Sequence, residues 1–197
     1  MKITRLFMTL ILVLSVFILV SFLSKSEIVP ELTTHESQLT IDTLQYAEEI
    51  HFKNIQQLTF GGDNAEAYFS FDGKWIVFQR TNSKEGLNCD QIFVGKVPAP
   101  GEKFEYKMVS TGKGRTTCAA FTKDGKHIIY ASTHLAADTC PPVPDRSKYG
   151  NKYIWPLYES YDIFMADLRG NIVKQLTHSK GYDAEATLSP DGNKMIY

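Results

Sequence analysis

The chain carries one short motif three times, and that motif constrains its fold more than anything else in it. Ser70-Phe71-Asp72-Gly73-Lys74, Thr122-Lys123-Asp124-Gly125-Lys126 and Ser189-Pro190-Asp191-Gly192-Asn193 all read hydroxyl-x-Asp-Gly-polar. Each is followed by a mostly apolar run: Trp75-Ile76-Val77-Phe78, His127-Ile128-Ile129-Tyr130 and Lys194-Met195-Ile196-Tyr197. Apolar residues precede each copy as well, namely Phe69, Phe121 and Leu188. Asp-Gly between two β-rich runs predicts a tight hairpin, because glycine accepts the positive φ such a turn needs. Three copies of one hairpin predict a repeat architecture.

The repeat extends past the turn. Gln57-Leu58-Thr59, Met108-Val109-Ser110 and Gln175-Leu176-Thr177 stand before the three copies, and a further strand follows the apolar run at Gln91-Ile92-Phe93-Val94 and at Asp162-Ile163-Phe164-Met165. The turn aspartates Asp72, Asp124 and Asp191 are 52 and then 67 residues apart, and the longer interval holds an insertion near 138–160. An underlying period of about 45 residues with four strands per unit is the arithmetic of a β-propeller blade. The expected fold is therefore all-β. About two and a half four-stranded blades are expected, at 55–105, 106–172 and, in part, 173–197.

These units resemble TolB-type propeller repeats, the Pro-Asp relatives of the WD repeat. The likeness is best at Gln175-Leu176-Thr177 with Leu188-Ser189-Pro190-Asp191-Gly192-Asn193-Lys194 and covers roughly residues 51–197. The first two copies depart from it, with Phe71 and Lys123 in place of the proline. The resemblance implies a non-catalytic scaffold of the bacterial cell envelope that docks protein partners on one face. Two and a half blades do not close a ring, which leads us to expect a longer protein; the alternative is a short one that completes the ring by self-association.

The N-terminus has a different character. Lys2 and Arg5 precede an almost wholly apolar run at 6–23, 18 residues long. As a helix it would span about 27 Å, close to the ~30 Å of a bilayer core. It predicts a signal peptide or a retained signal anchor, with the remainder of the chain exported to the periplasm or another extracytoplasmic space. Residues 24–50, with Pro30, read as a linker or stalk, and His35 and His51 as solvated loop histidines. With 21 basic and 22 acidic residues, the charge balance offers no case for nucleic acid.

Strand alternation sorts the loops of each blade onto two faces. The Asp-Gly turns lie on one face. The loops at 82–90 and 133–161, between second and third strands, lie on the other, together with the connections into the inner strands at 61–66, 112–118 and 180–185. The unusual residues all fall on this second face. Glu66 and Glu185 occupy equivalent positions facing the channel mouth, where they would bind a cation, a basic peptide or a ligand hydroxyl, or simply accept loop amides. Arg115 and Lys113 sit in the neighbouring connection, in a glycine-bearing stretch that lacks the P-loop pattern.

Cys89, Cys118 and Cys140 share this face. One disulfide and one leftover thiol are expected; Cys89–Cys140 would pin the insertion, and Cys118 is a possible partner of either. His134 and Asp138 are the residues that would join the cysteines in a metal site, but the spacing fits no zinc pattern, so neither metal nor cofactor is expected. In the insertion, Pro141, Pro142, Pro144, Tyr153, Trp155 and Tyr158 suit capture of a peptide or glycan, or alternatively a plug across the face.

No catalytic motif is present: neither Gly-x-Ser-x-Gly nor His-Glu-x-x-His occurs. A binding scaffold is the preferred expectation. The alternative is the gating propeller of an exported peptidase or other hydrolase whose catalytic domain lies beyond residue 197. A sugar-active enzyme is a third option, with Glu66 and Glu185 as its one possible carboxylate pair.

Overall fold

The computed structural model describes residues 46, 48–150 and 152–197; the apolar run at 6–23 and nearly all of the 24–50 stretch lie outside them. The three Asp-Gly motifs fold alike. In the first, Ser70 Oγ donates to Asp72 Oδ1 at 2.6 Å, the Lys74 amide donates to the same oxygen at 3.1 Å, and the Trp75 amide donates to Ser70 Oγ at 3.0 Å. Thr122, Asp124, Lys126 and His127 repeat this set, as do Ser189, Asp191, Asn193 and Lys194. In each turn the glycine amide closes back onto the hydroxyl residue's carbonyl at 2.8–2.9 Å. Only the glycine has positive φ, at 69°, 65° and 77° for Gly73, Gly125 and Gly192. The loop is thus four residues long and is held by an Asx-type side-chain bond. A two-residue type I′ turn would need both central residues left-handed.

β-Branched and aromatic runs on either side of these turns form the strands. The first sheet orders β1 (Asp63–Phe69), β2 (Trp75–Asn82), β3 (Leu87–Lys96) and β4 (Tyr106–Met108); the second orders β5 (Thr116–Phe121), β6 (His127–Ser132), β7 (Asp162–Asp167) and β8 (Ile172–Gln175). A two-stranded sheet pairs β9 (Thr187–Leu188) with β10 (Met195–Ile196). All pairings are antiparallel. Among the described residues the helical segments are two 3-10 turns, Ser83–Glu85 and Arg146–Tyr149. The all-β expectation holds. The sheets are offset from the sequence units, since the outer strand that opens the second unit, β4, completes the first sheet. Gln57-Leu58-Thr59, its counterpart before the first copy, has no strand beside it among the described residues.

The first and second sheets pack face against face. Val77, Ile92, Val94 and Val109 from one meet Ala119, Phe121, Ile128, Tyr130 and Phe164 from the other, all at most 3% exposed. The opposite face of the second sheet, with Ile129, Ala131 and Ile163, packs against Ala184, Ala186, Leu188 and Met195 around the third hairpin. Burying both faces in this way is worth roughly 1.5–3 kcal/mol per large side chain. Polar bonds cross the first interface too: the Cys118 amide donates to Gln79 Oε1 at 3.1 Å, and Thr116 Oγ1 donates to the Asp90 carbonyl at 2.9 Å.

Phe69 and Phe121 precede their turns identically, yet Phe121 is 3% exposed and Phe69 66%. Among the described residues no sheet covers the face of the first sheet that carries Phe69, Ile76 and Phe78. An open cavity of about 350 Å³ lies there instead.

Tyr130 is wholly buried, and its hydroxyl has no hydrogen-bond partner. Burial alone pushes its phenol pKa up. The equivalent position of the first sheet holds Phe78, so the site accepts a phenyl ring. Tyr130→Phe is expected to stabilise the protein by about 1 kcal/mol in urea unfolding, because it removes an unsatisfied buried hydroxyl.

A second expectation concerns the turns. The Ser or Thr hydroxyl, and after it a backbone amide, hold Asp72, Asp124 and Asp191 below the usual carboxylate range. A depressed folded pKa contributes stability above the unfolded value of ~3.9, and that stability is lost as pH falls through the lower folded value. The Asp72→Asn, Asp124→Asn, Asp191→Asn triple variant should therefore show a flatter decline in stability below about pH 4 than the wild type, measured by acid unfolding.

Candidate functional site

The ends of the sheets opposite the Asp-Gly turns carry the loops that differ between copies. The loop between β2 and β3 is closed by Arg80. This residue is 3% exposed and is held by Glu85 at 2.6 and 2.7 Å through both terminal nitrogens. The long loop between β6 and β7 is tied to the connection before β5. The Gly114 amide donates to the Asp138 carbonyl at 3.0 Å, Lys113 Nζ meets Asp138 Oδ2 at 2.9 Å, and the Arg115 amide donates to Thr133 Oγ1 at 2.9 Å. Gly114 sits so close that a Cβ there would lie 2.7 Å from Thr133 Oγ1. Cys89 and Cys140 are joined by a disulfide across 51 residues, which fastens the insertion to the first sheet. A loop of that length corresponds to about 4 kcal/mol in the chain-entropy account.

The inner strands enter this end through a left-handed residue each: Glu66 at φ 49°, Cys118 at 41° and Glu185 at 57°. In β1 and β5 that residue lies inside a break in strand register, between Ala65 and Tyr68 and between Thr117 and Ala120. Such bulges re-aim side chains. Cys118 Sγ donates to Glu185 Oε2 at 2.7 Å, Tyr68 OH donates to Glu66 Oε2 at 2.5 Å, and Tyr182 OH reaches Glu185 Oε1 at 3.4 Å. The result is a cluster of two exposed carboxylates, one thiol and two phenols.

Its electrostatics are uniformly acidic. Burial, then the Glu185 carboxylate, pushes the Cys118 thiol up to about 12, and the Glu66 bond pushes the Tyr68 phenol up to about 12. A thiol this hard to ionise is held as a hydrogen-bond donor to Glu185 at neutral pH. Among the described residues no three His, Cys, Asp or Glu side chains converge closely enough to hold a metal ion. What the cluster offers a ligand is carboxylate oxygen, suited to ammonium, guanidinium or hydroxyl groups.

Beside this cluster the insertion is anchored and yet apolar outside. Trp155 Nε1 donates to Tyr182 OH at 3.2 Å, Tyr158 OH donates to the Pro142 carbonyl at 2.7 Å, and Asp145 caps the 3-10 turn by accepting from the Ser147 amide at 3.0 Å. Val143, Tyr149, Tyr153, Trp155 and Leu157 nevertheless remain 48–73% exposed.

The residues singled out from the sequence separate into three groups. Glu66 and Glu185 belong to the cluster. Arg115, Trp155 and Tyr158 line a small cavity under the insertion, with Tyr158 also acting as an internal strut. His134 and Asp138 hold the loop. The imidazole lies 4.3 Å from the Phe164 ring with its pKa lowered by burial, and Asp138 is taken up by Lys113. Sequence reasoning counted Cys118 among the disulfide candidates and missed its place in the cluster. The signal was present: Glu66, Cys118 and Glu185 each stand six residues before a turn aspartate. Tyr68 and Tyr182 were missed because no motif marks them. No protein-family model matches the chain, and no curated protein matches it.

Cys118 gives a direct measure of the cluster. At pH 8 its alkylation by iodoacetamide should run about a thousand-fold slower than that of an unperturbed thiol, which ionises near 8.5. Glu185→Gln should speed it by at least ten-fold, because loss of the acceptor carboxylate brings the thiol pKa down.

Proposed function

We propose that the chain is a non-catalytic binding scaffold of the β-propeller type, resembling TolB-like repeat proteins and exported to the bacterial cell envelope. Its protein, peptide or glycan partner docks on the loop-bearing end. The stacking of four-stranded antiparallel sheets with equivalent inner-strand entries supports the propeller reading. The Cys89–Cys140 bridge suits an oxidising compartment, as export requires.

One observation carries the binding role. The insertion is fixed by a disulfide and two side-chain bonds, and it still presents five exposed aromatic and aliphatic residues, Val143, Tyr149, Tyr153, Trp155 and Leu157. A loop built only to plug the end would turn those residues inward. Rigid Tyr and Trp at a water-exposed surface supply contact area at little conformational cost.

Affinity capture from a bacterial envelope extract tests this. Trp155→Ala should weaken capture by ten-fold or more, whereas Val173→Ala on the outer strand β8 should leave it unchanged. Equal capture by wild type and Trp155→Ala, with the fold intact by circular dichroism, overturns the proposal.

A further inference from the structure

Beneath the insertion lies a cavity of about 80 Å³ walled by Pro144, Pro156, Tyr153 and Trp155, with Arg115 and Arg146 as its charged lining residues. Arg115 is incompletely satisfied. Its Nε is buried with no hydrogen-bond partner, and its nearest carboxylate, on Asp90, stands at 3.7 Å, beyond hydrogen-bond distance. Arg146 packs its guanidinium 5.4 Å from the Tyr153 ring centre. No acidic residue lines the cavity, and the nearest acid in sequence, Asp145, is occupied by both Ser147 donors. The Tyr158 hydroxyl is committed to the Pro142 carbonyl. Two guanidinium groups, one of them loosely paired with Asp90, therefore line an apolar, aromatic space, the reverse in sign of the carboxylate cluster. Trp155 stands between the two sites, lining the cavity and bonding through Tyr182 to the Glu185 side.

We infer that this cavity is a pocket for a peptide carboxylate, either a free C-terminus or an acidic side chain. Two guanidinium forks suit a planar carboxylate, which can accept two parallel N–H bonds from each. The volume holds a group of a few heavy atoms, at roughly 30 Å³ per water-sized unit. The ring and proline walls would cover the aliphatic stem behind it. The assignment deepens the binding-scaffold reading by naming the chemistry of one subsite.

The test uses the disulfide-intact chain and small probes, followed by NMR of the Trp155 indole N–H. N-acetylphenylalanine should shift that resonance saturably, and N-acetylphenylalanine amide should bind at least ten-fold more weakly. Arg146→Gln, at an exposed position, should weaken the acid by about ten-fold, and Arg115→Gln, with its fold checked separately, by about ten- to a hundred-fold. Preference for N-acetylphenylalanine over N-acetylglutamate α-amide supports a C-terminus as the source, and the reverse preference supports a side chain. Equal binding of acid and amide overturns the pocket, as do tighter binding of inorganic phosphate or indifference to both arginine changes. If the acids bind as expected while Trp155→Ala captures partners as well as wild type, the pocket stands and the scaffold proposal falls. If capture depends on Trp155 and no acid binds, the opposite holds.

Discussion

Burial of both faces of the second sheet sets the position of everything else in this protein. That sheet is apolar on both sides, with Ile128 and Tyr130 facing one way and Ile129 and Ala131 the other, so it needs a partner on each. The first sheet and the third hairpin supply them. Side-by-side stacking then brings the entries of β1 and β5 and the approach to β9 to one end, which no single unit does alone. On the first sheet the corresponding face buries Ile76, Phe78 and Phe93 against Phe104 and Leu58, and among the described residues no sheet covers it, so Phe69 stays exposed while its counterpart Phe121 is buried.

The loop-bearing end is built by local departures from regular pairing. A left-handed non-glycine residue costs roughly 1–3 kcal/mol, and this structure places one at each of three equivalent points, as Glu66, Cys118 and Glu185. The Cys118 bulge is held from the neighbouring sheet, since Gln79 accepts its amide. Its thiol then finds a carboxylate from the third unit. The three units thus meet in one cluster, where burial and then the Glu185 carboxylate push the thiol pKa up.

The insertion adds the opposite charge. The disulfide and the Tyr158–Pro142 bond fix its ends and middle, which lets exposed aromatic side chains keep one arrangement without being buried. Arg115, half-withdrawn beneath it, and the Glu66–Glu185 cluster beyond Trp155 give this end two adjacent environments of opposite sign. A ligand carrying both charges on an apolar frame would meet complementary groups in each.

The sequence by itself determined the hairpin turns and the strands that flank them, because their causes are local. Ser70, Asp72 and Gly73 bond within five residues of one another, and the same letters recur wherever that turn is needed. It also determined which loops share an end, since strand alternation leaves no choice. Tertiary structure decided the rest. That Cys118 is a thiol donor to Glu185 depends on a contact across 67 residues and on its equivalence to two glutamates, which a change of residue type concealed. That Tyr158 is a strut and His134 a ring packed on Phe164 depends on how a 133–161 loop with no internal period folds back. That Cys89 takes Cys140 depends on how the 133–161 loop folds back onto the start of β3 in the adjacent sheet. Local hydrogen bonding repeats with the sequence that makes it; side-chain partners in long loops are chosen by packing between units, and no short stretch of sequence encodes that packing.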